Sequence, residues 1–147
     1  MNILLIEDDD LKLGLIDRAL KTVTPAPEIV RAASYQAGVE RLVKGKFDYV
    51  LLDMSLPVSD LAHSPVGMEW LTFGGQLILR ECARRNIQSK FIVVSQFNTF
   101  IRDNEEVSFA QLKEEIFNQY PNLVIGCVRL DRGADNWKEE ILHFLNQ

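Results

Sequence analysis

Glu7, Asp8, Asp53 and Ser95 are the residues of this 147-residue chain whose types and positions could do chemistry, because each stands where a short apolar run stops. Ile3-Leu4-Leu5-Ile6 runs into Glu7-Asp8-Asp9-Asp10, Tyr49-Val50-Leu51-Leu52 into Asp53, and Phe91-Ile92-Val93-Val94 into Ser95. Carboxylates brought together repel unless a proton or a bound cation neutralises them. A set of oxygens without histidine or thiolate suits a hard ion, and Mg²⁺ takes one or two carboxylates while keeping waters that a phosphate oxygen can replace. A carboxylate beside Mg²⁺ can attack phosphorus and form an acyl phosphate. Ser95 could then hydrogen-bond a phosphoryl oxygen, and helix N-termini at the same edge would add N–H donors.

The elements that must position these residues are legible from the apolar patterning. Continuous apolar runs of about four residues read as strands buried on both faces, as in parallel sheets covered by helices. Ligands of such sheets gather outside the carboxyl ends of the strands. Leu11, Leu15, Ile16, Ala19 and Leu20 recur at helical spacing before Pro25 and Pro27, and Glu28 to Ala32 forms a weaker second strand. Ser34 caps a helix carrying Tyr35, Val39, Leu42 and Val43, with Gly45 near its end. After Asp53 an irregular segment holds Pro57 and Pro65. A helix is expected between Gly67 and Asn86 with Leu77, Ile78 and Cys82 inward.

Beyond Ser95 the stretch from Asn98 to Glu106 reads as a polar loop. Phe109, Leu112, Ile116 and Phe117 make the next helical stripe, Leu123 to Leu130 the fifth strand, and Trp137, Ile141, Leu142 and Leu145 the last helix, capped by Asp135. The expected fold class is therefore α/β, a doubly wound five-stranded parallel sheet in a (βα)5, flavodoxin-like order. One domain is expected over 1–147, with no output module.

Bulk properties are ordinary for one globular domain. The chain is 47% hydrophobic and 25% charged, with a net charge of -5, which argues against direct DNA binding or attachment to an anionic membrane. No apolar stretch is long enough to span a bilayer, and the first strand leads straight into acids, unlike a signal peptide. Cys82 and Cys127 lack metal-ligand spacing and read as reduced core thiols, so a cytoplasmic location is expected. His63 and His143 stand alone, without a partner that would make either a ligand or a catalyst.

With these residues in place, the chain resembles the receiver domain of two-component response regulators along essentially its whole length. The most specific pieces are the strand followed by Glu7 and Asp8, and the string Leu51-Leu52-Asp53-Met54-Ser55-Leu56-Pro57. The resemblance implies that Asp8 binds Mg²⁺ directly, Glu7 acts through water, Asp53 accepts phosphate, and the backbone carbonyl of Ser55 completes the metal site. It makes Ser95 the switch hydroxyl. It also implies a histidine kinase or phosphotransfer protein as donor, and readout through protein–protein contacts.

Two features depart from that pattern. Receivers carry a lysine at the end of the fifth strand, usually followed by proline, and an aromatic switch residue nearby. Here the stretch reads Ile125-Gly126-Cys127-Val128-Arg129-Leu130-Asp131-Arg132. Arg129 is the first candidate replacement for the lysine, since it is cationic and offers a bidentate fork, and Arg132 is the second. The segments 58–75 and 98–106 are longer than in receivers, and Val66, Met68, Trp70, Leu71 and Phe73 form an apolar cluster in the first.

Three functions compete on these residues. The first is a stand-alone receiver, a phosphoacceptor rather than an enzyme, whose only catalysis would be its own dephosphorylation. The second is a pseudo-receiver that binds a partner without phosphorylation, motivated by the missing lysine. The third is an aspartate-nucleophile phosphatase of the haloacid-dehalogenase type, since Asp8-Asp9-Asp10 fits Asp-x-Asp, although its other motifs are missing. The first is preferred.

Overall fold

A computed structural model describes residues 1–59, 70–71 and 73–147, with Trp70 and Leu71 described by their backbone only. Along the chain the elements are β1 (Asn2–Ile6), α1 (Asp10–Leu20), β2 (Glu28–Ala32), α2 (Tyr35–Lys44), β3 (Tyr49–Leu52), β4 (Leu56–Pro57), β5 (Trp70–Leu71) and α3 (Gly74–Arg84). They continue with β6 (Lys90–Ser95), β7 (Thr99–Arg102), β8 (Glu105–Ser108), α4 (Phe109–Gln119), β9 (Val124–Arg129) and α5 (Asn136–Leu145). Five strands form one parallel sheet in the order β2-β1-β3-β6-β9, the doubly wound arrangement expected.

Strand alternation sends successive side chains to opposite faces. Leu4, Ile6, Val50, Leu52, Phe91 and Val93 pack with α2, α3 and α4, while Ile3, Leu5, Leu51, Ile92 and Val94 pack with α1 and α5. Both faces are covered, which is why these strands are written as unbroken apolar runs. Cys82 and Cys127 are free and buried in the first of these layers.

Helix starts follow the side chains that cap them. Asp9 accepts from the backbone N–H of Leu11 and Lys12 and Ser34 from that of Ala37, each satisfying donors that a helix leaves open. Asp135 precedes α5 without a side-chain cap; its carboxylate pairs with Lys138 instead.

Four expectations are corrected. The stretch 98–106 is not an open loop: β7 and β8 form a hairpin that turns at Asp103 and Asn104, whose φ angles of 53° and 63° suit a two-residue turn. Phe100 and Val107 face each other across it and are both buried in the core. The inward side of α3 is Ile78, Leu79 and Cys82, whereas Leu77 is exposed. Leu11, 69% exposed, does not belong to the inward stripe of α1; Lys12 does, at 1%. Val43 is likewise exposed on α2.

The segment 58–75 contains β5, which pairs antiparallel with β4. Val66, Met68, His63 and Pro65 lie outside the described residues. Phe73 packs on the core, its ring 5.9 Å from that of Phe100 and beneath the Arg102 guanidinium.

Candidate functional site

Register brings the candidate residues together. Ile6 lies beside Leu52, and Leu52 beside Val93, so the next residue of each strand, Glu7, Asp53 and Val94, reaches the same carboxyl edge. Carboxylate oxygens of Glu7, Asp8 and Asp53 all lie within 4.8 Å of one another. Glu7 and Asp53 are only 3% and 7% exposed, while Asp8 is half-buried at the rim.

The hydrogen bonds fix the carboxylates from below. Glu7 Oε2 accepts from the backbone N–H of Asp8 at 2.9 Å and of Asp9 at 3.3 Å. Asp53 Oδ1 accepts from the N–H of Met54 at 2.8 Å. Glu7 Oε1 is sealed from solvent and accepts no hydrogen bond of good geometry. Its close neighbour is the ammonium of Lys12 at 2.5 Å, and that contact is an ion pair. Lys12 Nζ also stands 3.2 Å from Asp53 Oδ1 and donates to the carbonyl of Val94 at 2.8 Å.

These surroundings alter the acids. Burial pushes the Asp53 carboxyl up to about 7; Lys12 opposes the rise and the Glu7 carboxylate adds to it. Asp8 is raised to about 6 by burial first and by repulsion from Glu7 second. Asp9, by contrast, is lowered: burial works against it, but the N–H groups of Lys12 and Leu11 and the guanidinium of Arg132 outweigh that. It is the N-cap of α1.

Ser95 is fully buried where β6 ends, and its Oγ accepts from the N–H of Phe97 at 3.2 Å, so it also shapes the turn there. Ser55 follows Asp53 by two residues at the same edge. Arg129, beside Ser95 in register, pairs with Asp131 at 3.5 Å. Arg132 pairs with Asp9 at 3.0 Å and reaches Gln96. The cation in contact with Asp53 is thus Lys12, a residue that the sequence reading passed over. Its burial follows the phase of α1: four residues back from the buried Ile16 lies Lys12, whereas four back from the half-buried Leu15 lies the exposed Leu11.

The donor set is three carboxylates, all oxygen, gathered within 4.8 Å. That set fits a hard divalent cation. A groove of about 830 Å³ opens at the opposite edge of the sheet among Phe47, Asp48, Ser89 and Lys90. Asp48 is the one acid in its lining, whereas three meet at the carboxyl edge, so the chemistry is assigned there.

No protein-family model matches the chain. It is 28% identical over 145 residues to the Detocs response regulatory protein DtcB of Enterobacter cloacae (strain JD6301), covering 97% of this chain and 96% of that one. Among solved structures it is similar to the response regulator domain of Thermotoga maritima CheB, with a TM-score of 0.68, 14% identity, and 100% and 94% of the two chains covered. It is also similar to the Mn²⁺-bound form of response regulator Rcp1, with a TM-score of 0.64 at 18% identity over 97% and 90%. The chain thus has the fold of response regulator receiver domains.

Proposed function

We propose that the chain is a phosphoacceptor of two-component signalling, taking a phosphoryl group on Asp53 with Mg²⁺ bound by Asp8, Asp53, the Ser55 carbonyl and, through water, Glu7. The observation that carries this reading is the meeting of Glu7, Asp8 and Asp53 within 4.8 Å at the carboxyl edge of a receiver fold. A bound Mg²⁺ would supply charge neutralisation and orient the phosphate donor. Asp53 is the proposed nucleophile: it directly follows β3, the central strand of the sheet, and its Oδ1 is anchored by the Met54 N–H. Ser95 would donate its hydroxyl proton to a phosphoryl oxygen, a role compatible with its Oγ accepting from the Phe97 N–H.

The donor would be a histidine kinase or a phosphotransfer protein, and the output a changed surface read by another protein. The response-regulatory relative and the Mn²⁺-bound neighbour support this reading. Incubation with acetyl phosphate and Mg²⁺ followed by intact-mass analysis tests it. The expected product carries one added phosphoryl group, absent in Asp53→Asn. An unlabelled chain would overturn the proposal and favour phosphorylation-independent partner binding.

A further inference from the structure

We propose that Lys12, on the first turn of α1, is the cation that binds the phosphoryl group on Asp53, in place of any basic residue at the end of β9. The inference rests on Asp53 being the phosphoacceptor and assigns that site a residue from a different element.

A lysine side chain that is 1% exposed is rare, because burying an ammonium is unfavourable unless it is fully paired. Lys12 is paired on every side, with Glu7 Oε1, Asp53 Oδ1 and the Val94 carbonyl. Those three residues are the first beyond the ends of β1 and β3 and the penultimate of β6, so the ammonium sits at the centre of the edge that holds the acids. Helix electrostatics alone would not put it there, since a cation in a first turn opposes the helix dipole. The basic residues at and just beyond the end of β9 are engaged elsewhere, Arg129 with Asp131 and Arg132 with Asp9 and Gln96.

Charge balance supports the assignment. Three carboxylates are matched by one ammonium and one divalent cation. When Asp53 attacks the phosphorus of acetyl phosphate, the new O–P bond forms as the bond to acetate breaks, and acetate leaves with the electron pair. The carboxylate charge of Asp53 is lost and a phosphoryl dianion takes its place, so negative charge at the site rises by one. Lys12 places its side-chain nitrogen 3.2 Å from Asp53 Oδ1, beside the carboxylate that takes the phosphoryl group. A preorganised donor in a water-poor site is worth most where charge develops.

The test compares the wild type with Lys12→Met, Lys12→Gln and Arg129→Gln, each checked for folding by circular dichroism and thermal unfolding. Labelling by acetyl phosphate with Mg²⁺ is followed by intact mass, and Mg²⁺ affinity by calorimetry. Both Lys12 variants are expected to label about 100-fold more slowly than wild type. They should bind Mg²⁺ at least as tightly, because a competing cation has left the carboxylates. Arg129→Gln should label at the wild-type rate. Wild-type labelling in a folded Lys12 variant, or loss of labelling in Arg129→Gln alone, would overturn the assignment while leaving Asp53 as acceptor. An unlabelled wild type would overturn both proposals together. If Lys12→Gln fails to fold, Lys12→Met, which keeps the buried stem, decides.

Discussion

Asp53 and Asp8 couple protonation, metal binding and stability in one direction. In the folded chain both carboxyls titrate above the 3.8 expected for an aspartate, at about 7 and about 6. The folded state therefore holds protons that the unfolded chain releases, and stability from this source is full below pH 3.8. It is lost as pH rises through about 6 and then about 7. Mg²⁺ reverses the loss, since a divalent cation replaces the protons that are leaving. In metal-free buffer the melting temperature should thus fall between pH 5 and pH 8, and added Mg²⁺ should raise it far more at pH 8 than at pH 5. Asp53→Asn should flatten the metal-free profile and weaken the Mg²⁺ effect. A Mg²⁺ shift that is the same at both pH values would contradict the raised acids. None of this residue chemistry could be read from Lys12, because a lysine between Leu11 and Leu13 scans as a solvated position. The acids were legible because strand ends mark them; the ammonium was not, because its burial depends on the phase of a helix.

At the scale of elements, the site depends on how closely α3 approaches the strand that carries Asp53. Gly75, in the first turn of α3, donates its N–H to the carbonyl of Met54. A Cβ there would stand 2.5 Å from the Asp53 carbonyl oxygen and 2.9 Å from Met54 Cα, and would collide with Met54 Cε. Backbone cannot yield as a side-chain tip can. Gly75→Ala should therefore destabilise the domain by about 1–3 kcal/mol, the range for overpacking, despite alanine's better helix propensity. Urea unfolding checks the cost. Labelling of the folded variant should slow too, since Asp53 shares the displaced backbone; a variant as stable and as reactive as wild type would refute the close approach. The hairpin of β7 and β8 belongs to the same scale. Its strands each bury one apolar residue, Phe100 and Val107, too few to lift a polar stretch out of a loop reading.

For the whole molecule, the architecture was legible because a sheet covered on both faces must be written in runs such as Tyr49 to Leu52 and Phe91 to Val94. The five-helix, five-strand order follows from those runs and the stripes between them. What lay beyond the patterning were the additions at the carboxyl edge, β4, β5 and the hairpin, whose short strands lack a long period. The same logic separates residues by consequence. Leu51 is 2% exposed in the central strand, packed on the α1–α5 face two positions before Asp53, whereas Leu11 is 69% exposed on α1 although its type and neighbourhood look equally apolar. Leu51→Ala leaves a cavity between sheet and helices that close-packed neighbours fill only in part, and should cost about 2–5 kcal/mol. Leu11→Ala should stay within about 0.5 kcal/mol of wild type. Urea midpoints with an unchanged slope would report both as stability differences. Equal losses at the two positions would mean that α1 is rotated from the phase that buries Lys12, and the ammonium could then not reach Asp53.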